Sequence, residues 1–272
     1  MVRIKLMLAV LALMFVASAT ATQAATLRAF VSSTGNDANA ATNCAQTAPC
    51  RTFAGAFPTV TAGGELIALD TAGYGPIASI NKAITIATIP GATAFVVVAG
   101  GTNGFTVNAG ASDLVRIRNV NFNGSGAAGT TGLRHNSGRL IVRECTFQQL
   151  TIGVDNYAKM DLIDSDLHGN GTALQSNGTG TMSGNDPSSV AQLRVNNANV
   201  TFNTLGLQQN NPGFNENANN LFNIWIFADA NSGRINLAGN TTAFGCTGNS
   251  GPPSNNPCSG QPLTYNMTTQ LK

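Results

Sequence analysis

The sequence predicts an all-β fold, a single parallel β-helix in which each coil stacks on the one before it. An apolar strand pattern that bends in its middle occurs four times, and a second short strand beginning with glycine or alanine follows each copy. Such repeats are typical of solenoids, whose units bury their apolar sides only by stacking on their neighbours. The four copies are Val115-x-Ile117-x-x-Val120-x-Phe122, Leu140-x-Val142-x-x-Cys145-x-Phe147, Met160-x-Leu162-x-x-Ser165-x-Leu167 and Leu193-x-Val195-x-x-Ala198-x-Val200.

The segment 1–25 has the composition of a secretory signal peptide. Arg3 and Lys5 give a basic start, an apolar run follows from 6 to 17, and small residues suitable for cleavage end at 21 and at 24. The apolar run is too short for a membrane-spanning helix, which needs about 20 residues. We therefore expect an exported protein, secreted or periplasmic, without a membrane span.

Residues 26–65 are predicted to form the N-terminal cap of the domain that runs from 26 to 272. Residues 27–32 have the composition of an opening strand, and the turn residues Gly35, Asn36 and Asp37 follow it. Residues 52–57 are a candidate for a short amphipathic helix. Residues 65–70 then resemble a strand in length and apolar content, and lead into the coils.

Residues 66–240 are predicted to form the coils. The first apolar residues of successive second strands lie 28, 21, 20 and 33 residues apart, so about twenty residues make one coil and longer intervals contain corner loops. These residues are Phe105, Leu133, Val154, Leu174 and Leu207. Asparagines recur near the end of the same strand, where stacked coils about 4.8 Å apart allow an amide ladder. They are Asn108, Asn136, Asn177 and Asn210.

Five cysteines follow the predicted leader. Cys44 and Cys50 bracket one short loop, and Cys246 and Cys258 bracket another in the predicted C-terminal tail, residues 241–272. In an oxidising compartment each pair is predicted to form a local disulfide, with unpaired buried cysteines as the alternative. Cys145 occupies an inward repeat position, so we expect a reduced core residue rather than a nucleophile, which needs an exposed electropositive setting.

The charge composition bears on the partners. The chain has 14 basic and 12 acidic residues, and loss of Arg3 and Lys5 with the leader leaves 12 of each sign. Only 10% of the residues are charged, against about 25% in ordinary globular proteins. A neutral chain without a basic run is not expected to bind nucleic acid. We expect a single-domain monomer with a surface of Asn, Thr, Ser, Gln and Gly.

Four N-terminal segments carry a resemblance to a known group: Phe30-Val31-Ser32-Ser33-Thr34-Gly35-Asn36-Asp37, Cys50-Arg51-Thr52-Phe53-Ala54-Gly55-Ala56, Ala62-Gly63-Gly64-Glu65-Leu66 and Gly73-Tyr74-Gly75. With the repeats, they resemble secreted bacterial right-handed parallel β-helix proteins of the pectin-lyase-like superfamily. The resemblance implies that the helix near Thr52 caps the open end of the coil, where exposed strand edges would otherwise pair with other chains. The superfamily includes lyases, hydrolases and members without demonstrated activity, so it does not supply a reaction.

The register of the repeats predicts one acidic corner. Outward residues of successive coils become neighbours, which places Glu144 about one coil spacing from Asp164, with Asp166 two residues further on. Two such carboxylates repel each other unless a cation or an arginine lies between them. Arg143 and Arg118 are one position away and can neutralise them.

Arg134, Asp155 and His168 are candidates for ligand binding. Arg134 and Asp155 are predicted neighbours on the second strand, where the alternative is an exposed ion pair contributing about 0–1 kcal/mol. His168 lies two residues after Asp166 and could act as an acid or base. The simpler interpretation of His135 and His168 is that both are hydrogen-bonding surface residues.

Two reactions are considered for the acidic corner. Calcium-assisted β-elimination from a uronate polymer would use Glu144, Asp164 and Asp166 as ligands and Arg143 or Arg118 as base. Glycoside hydrolysis needs two carboxylates about 5–5.5 Å apart for retention or about 6.5–9.5 Å apart for inversion. Beyond the predicted leader, the sequence lacks the denser Asp set and the Gly-His and Arg-x-Lys elements of the superfamily's hydrolases. Charges that compensate one another between coils are the simpler interpretation.

We therefore expect a secreted protein that binds a polysaccharide or a cell-surface glycan with little or no catalysis. Predicted export, a polar uncharged surface and the lack of a dense catalytic cluster support this hypothesis. It requires no cofactor and no metal, and calcium enters only with the lyase alternative. The first alternative is a polysaccharide lyase or glycoside hydrolase acting at the acidic corner. The second is a structural solenoid that assembles end to end.

Overall fold

Parallel strands form three sheets, which are the three faces of a β-helix. The computed structural model describes residues 25–177 and, beyond them, the strand segments 193–196, 198–201, 205–210, 224–226, 235–236 and 242–247. In chain order the strands are β1 (Thr26–Val31), β2 (Val60–Ala68), β3 (Ala72–Gly73), β4 (Ile77–Ile80), β5 (Ile84–Thr88), β6 (Ala94–Val97), β7 (Asn103–Asn108), β8 (Leu114–Arg118), β9 (Val120–Asn123), β10 (Thr131–Ser137), β11 (Arg139–Arg143), β12 (Thr146–Gln148), β13 (Ile152–Asn156), β14 (Lys159–Ile163), β15 (Asp166–His168), β16 (Thr172–Asn177), β17 (Leu193–Asn196), β18 (Ala198–Thr201), β19 (Leu205–Asn210), β20 (Ile224–Ile226), β21 (Ile235–Asn236) and β22 (Thr242–Thr247).

The order of the strands confirms the predicted parallel β-helix. Sheet A runs β1-β2-β5-β8-β11-β14-β17-β20, sheet B runs β21-β18-β15-β12-β9-β6-β3, and sheet C runs β22-β19-β16-β13-β10-β7-β4. From β3 onward each coil contributes one strand to each sheet in turn, and the named strands pair in parallel within each sheet. Parallel strands need a connection across the molecule, which the other two faces of the coil provide here.

The register agrees with the stacks derived from the sequence. In sheet A, Leu140 pairs with Val115 on one side and with Met160 on the other. In sheet C, Arg134 pairs with Asp155. Inward residues are therefore stacked on inward residues along the axis, so each coil buries the apolar side of the next.

Aromatic rings fill the first part of the interior. Phe105 lies edge-on to Phe122 with ring centroids 5.1 Å apart, and Phe122 stacks on Phe147 at 4.8 Å. Phe53 of the cap contacts Phe105 at 5.7 Å and so joins the cap to the coils. Cys145 is a free, buried cysteine, as predicted, and burial raises the pKa of its thiol to about 12. Such a thiol is a poor nucleophile.

The predicted cap helix is present as α1 (Phe53–Ala56), followed by a 3-10 turn over Phe57–Thr59. Thr52 caps its N-terminus, since its hydroxyl accepts a hydrogen bond from the Gly55 amide at 2.9 Å. The helix packs against β1, β2 and β4, the first strands of sheets A and C. A second 3-10 helix over Asp37–Thr42, where the sequence predicted only a turn, precedes the Cys44–Cys50 disulfide, which is formed as predicted.

The coils extend beyond the predicted limits of 66–240 at both ends. The strand β1 already pairs with β2 in sheet A, so stacking begins at Thr26, within the predicted cap. At the other end, β22 adds to sheet C within the predicted tail. The leader up to residue 24 and Cys258 lie outside the described residues, so the Cys246–Cys258 disulfide stays a prediction. Across the described ranges, no helix has the length and hydropathy of a membrane span.

Candidate functional site

The acidic corner lies where sheet A turns into sheet B. Asn119, Glu144 and Asp164 occupy equivalent positions after β8, β11 and β14, with φ angles of 57°, 55° and 49°. This left-handed conformation turns the chain sharply, and asparagine and aspartate adopt it more readily than most residues. The glutamate at this corner is the less usual choice, and its side chain is directed to the surface.

Glu144 and Asp164 are each bound by an arginine at this corner. Arg118 Nε lies 2.7 Å from one Glu144 oxygen and Arg118 Nη2 lies 3.3 Å from the other. Arg143 Nη2 lies 3.1 Å from Asp164, and its Nε lies 3.7 Å from Glu144. The hydrogen bond to Glu144 also raises the pKa of Arg118. Each arginine thus pairs with the carboxylate of the next coil, so the repulsion expected between Glu144 and Asp164 is compensated.

The corner is exposed rather than enclosed. The Arg118 and Arg143 side chains are 60% and 53% exposed, and Glu144 is 39% exposed. Ion pairs in such a setting contribute about 0–1 kcal/mol, because water competes for both partners. Asp166 is also exposed, on the sheet B side of the corner. The residues predicted for catalysis are therefore brought together, but on an open surface.

Arg134 and Asp155 form the predicted pair on sheet C, with Nη1 3.1 Å from Oδ2. The Asp155 side chain is only 3% exposed, so the pair is more buried than the sequence indicated. Arg134 also donates from Nε to the Asn136 amide oxygen at 3.1 Å and lies 4.9 Å from the centre of the Tyr157 ring. Arg134 thereby lies between an aromatic ring, an amide and a carboxylate.

The first two members of the predicted asparagine ladder, Asn108 and Asn136, form the expected hydrogen bond. Asn136 donates to the Asn108 amide oxygen at 2.8 Å, and Asn108 donates to the Ser79 hydroxyl at 3.0 Å. Three successive coils are thus joined along the axis by uncharged polar groups. The side chains of Asn177 and Asn210, the other predicted members, lie outside the described residues.

His168 belongs to a second polar ladder, on sheet B. Its Nε2 lies 3.1 Å from Gln148 Oε1, and Gln148 Nε2 donates to Asn121 Oδ1 at 3.0 Å. The neighbouring strand β6 continues this outward face with Phe95, which is half-buried, and Val97, which is 60% exposed. The face therefore combines amides, an imidazole and apolar surface.

His135 is not the surface residue that the sequence suggested. It is completely buried, and its Nδ1 lies 2.7 Å from the Asn156 amide oxygen inside the coil. Burial lowers the pKa of His135, since the charged imidazolium is poorly solvated there. The strand alternation already indicated this position, because Leu133 is inward and Arg134 outward.

The N-terminal segments that carried the resemblance converge on the cap. The Asp37 carboxylate accepts hydrogen bonds from the amides of Arg51 and Thr52 at 2.9 Å each and from the Thr52 hydroxyl at 2.8 Å. Arg51 in turn donates to the carbonyl of Gly73 at 2.7 Å. These contacts lie within the cap and between the cap and the first coil, so the most specific segments of the sequence have a structural role.

Two further features concern ligands. Within residues 25–177, no group of three or more His, Cys, Asp or Glu side chains is placed to hold a metal ion. A shallow depression of about 280 Å³ lies at the corner between sheets B and C, lined by the uncharged residues 125–128, 149–151 and 169.

The sequence analysis missed Tyr157, which lies beside Arg134, because Tyr157 comes after the last residue of the repeated strand.

No family model matches the chain, and no curated protein matches it. Among solved structures, the chain is similar to the crystal structure of pectate lyase Pel9A, with a TM-score of 0.38 and 15% sequence identity. The match covers 84% of this chain and 63% of that one, so the chain spans less than two thirds of the length of the structure it resembles. The β-helix fold itself follows from the topology and register of the three sheets.

Proposed function

We propose that this protein is an exported β-helix that binds a polysaccharide or a cell-surface glycan without cleaving it. The observation that carries the proposal is the pair of polar ladders, Asn121–Gln148–His168 on sheet B and Ser79–Asn108–Asn136 on sheet C. Export is supported by the leader-like composition of the segment 1–25 and by the Cys44–Cys50 disulfide, which is typical of oxidising compartments.

The ladders have the chemistry that sugar hydroxyls require. Amides and hydroxyls both donate and accept hydrogen bonds, so they can replace the water around a sugar without burying a charge. On sheet B, Phe95 and Val97 place apolar surface beside the ladder, against which the C–H face of a sugar ring can pack. Repetition at the coil spacing of about 4.8 Å suits a polymer more than a single sugar.

The acidic corner is less suited to catalysis. Arg118 contacts both oxygens of Glu144, and Arg143 contacts Asp164. A calcium ion or a substrate at this corner would have to displace these guanidinium groups. An enzyme also gains most of its electrostatic stabilisation in a site that excludes water, whereas these side chains lie on an open surface.

The test is incubation with neutral and uronate polysaccharides, with and without calcium, while binding and products are measured separately. We expect binding without products, and several-fold weaker binding for Gln148→Ala. Glu144→Gln is the matched control at the acidic corner and should bind as the unchanged protein does. Absence of binding to every polymer would overturn the proposal.

Products in this experiment would favour the catalytic alternative instead. Turnover that is lost in both Glu144→Gln and Asp164→Asn would identify the corner as a lyase or hydrolase site, and its dependence on calcium would separate the two reactions. A mass that grows with protein concentration in light scattering, without glycan binding, would favour the self-assembling solenoid.

A further inference from the structure

The outward face of sheet A carries an unusual concentration of positive charge. The three neighbouring strands β8, β11 and β14 contain five basic residues and one acidic residue, Asp161. The chain as a whole has 14 basic residues against 12 acidic ones, so these three strands have a higher ratio of basic to acidic residues than the whole chain. The five are Arg116, Arg118, Arg139, Arg143 and Lys159.

Two of these cations are neutralised and three are not. Arg118 and Arg143 are bound by the carboxylates of the acidic corner. Arg116, Arg139 and Lys159 are exposed, and within residues 25–177 none of them forms an ion pair. We call these three residues the basic strip.

The basic strip follows the axis of the helix. Arg139 and Lys159 are direct partners in the register of β11 and β14, and Arg116 lies on the preceding strand, two residues further along. Like charges directly opposite each other on neighbouring strands are destabilising. A bound anion would remove that repulsion, so the face gains from a ligand that brings several negative charges.

We propose that the basic strip binds a sulfated polysaccharide lying along the axis of the helix. This site is separate from the ladders of sheets B and C and uses charge rather than neutral hydrogen bonding, so it goes beyond the function proposed above. Ile141 and Ile163, both half-buried, lie on the same outward face and offer apolar surface to the sugar rings. Arginine suits the role because its planar guanidinium binds oxyanions with two parallel hydrogen bonds.

The geometry favours a sulfated polymer over other anions. The three cations lie on three consecutive strands of sheet A and in two rows across them. Along the axis they therefore span two coil spacings, which is about 10 Å. A polymer with one carboxylate per ring divides its charges between its two sides, whereas several sulfates per ring can face both rows at once. A membrane-binding face would add large exposed apolar side chains, and the strands β8, β11 and β14 have none.

The experiment measures heparin binding by titration calorimetry at two salt concentrations. The variant Arg116→Gln/Arg139→Gln/Lys159→Gln should bind roughly tenfold or more weakly, with a smaller dependence on salt. Arg28→Gln is the matched control, because Arg28 is an exposed arginine of the same sheet that is paired with Glu65. It should bind heparin as the unchanged protein does.

A second variant tests the same strip in the opposite direction. Asp161→Asn removes the acidic residue of the three strands and should strengthen heparin binding by about threefold. This result supports the proposal even if the triple variant does not fold. The proposal is overturned if heparin does not bind, or if both variants bind it as the unchanged protein does. It is also overturned if polygalacturonate, duplex DNA or anionic lipid vesicles bind more tightly than heparin through the same three residues.

Discussion

The N-terminal cap and the acidic corner both concentrate carboxylates, but they use them differently. In the cap, Asp37 accepts hydrogen bonds from two backbone amides and one hydroxyl. At the corner, Glu144 and Asp164 are bound by exposed arginine side chains instead. A hydrogen bond from a fixed amide to a charged group contributes about 1.5–3 kcal/mol, whereas an exposed ion pair contributes about 0–1 kcal/mol.

The comparison shows that the number of charged residues in a region is a poor guide to how much they stabilise the fold. Among the described residues the cap lies at the start of the solenoid, with β1 at the end of sheet A, so its side chains must satisfy backbone groups directly. The corner repeats from coil to coil, and its backbone is already held by the sheets on either side. Its charges can therefore change with little effect on the fold.

The largest effect is expected for Gly35→Ala in the cap. A Cβ at Gly35 would lie 2.1 Å from the carbonyl oxygen of Cys50, so either the backbone or the disulfide loop must shift. We expect the free energy of unfolding to fall by about 3 kcal/mol, measured by urea denaturation. Gly73→Ala is the matched control, because the nearest atom to its Cβ would be 4.0 Å away. Equal losses in both variants would contradict this interpretation of the cap.

An intermediate effect is expected for Asp70→Asn, in the first coil, where Asp70 accepts hydrogen bonds from Ser32 and Ser33 of the cap. Burial opposes ionisation of Asp70, but hydrogen bonds from Ser33, Tyr74 and Ser32 outweigh it and lower its pKa below the usual aspartate value. A lowered pKa in the folded state gives stability that is present above about pH 4 and is lost as the pH falls through the folded value. The variant should be about 1 kcal/mol less stable at pH 7.

The pH profile provides the check on Asp70. Between pH 4 and pH 2 the unchanged protein should lose more stability than Asp70→Asn does, because only the former has this carboxylate to protonate. Parallel profiles for the two proteins would show that the hydrogen bonds at Asp70 do not favour the ionised form.

The smallest effect is expected for Glu144→Gln at the corner. The amide keeps a hydrogen-bond acceptor for Arg118 and loses only an exposed charge. The free energy of unfolding should therefore change by less than about 1 kcal/mol. Urea denaturation at low and moderate salt is the measurement, with Asp164→Asn beside it. A loss above about 2 kcal/mol would mean that the corner supports the fold as strongly as the cap does.

The register was predictable from the sequence because inward and outward residues alternate regularly along each strand of the repeat. Once Leu140 and Val115 are aligned, every outward neighbour follows, including Arg134 beside Asp155. The two-residue corner before Asp166 was also visible, since the apolar spacing changes there.

Burial of polar side chains was less predictable. Asp155 points outward yet is covered, because Arg134 and the adjoining Tyr157 lie against each other on its face. The burial of Asp155 therefore depends on a residue outside the repeat and on the length of the side chains around it. His135 was misplaced for another reason: alternation placed it inward, and its polarity was given more weight than its position.

The corner between sheets A and B and the corner between sheets B and C also differ in how much chain they contain. One residue, Asn119, separates β8 from β9, and two residues separate β11 from β12, whereas seven separate β9 from β10. A residue inserted at the short corner would slip the following strand by one position and turn its core face to solvent. Gly124 and Thr130 are buried, but foreign peptides could replace residues 125–129 between them without that slip, which makes the corner between sheets B and C the natural place to graft a displayed sequence.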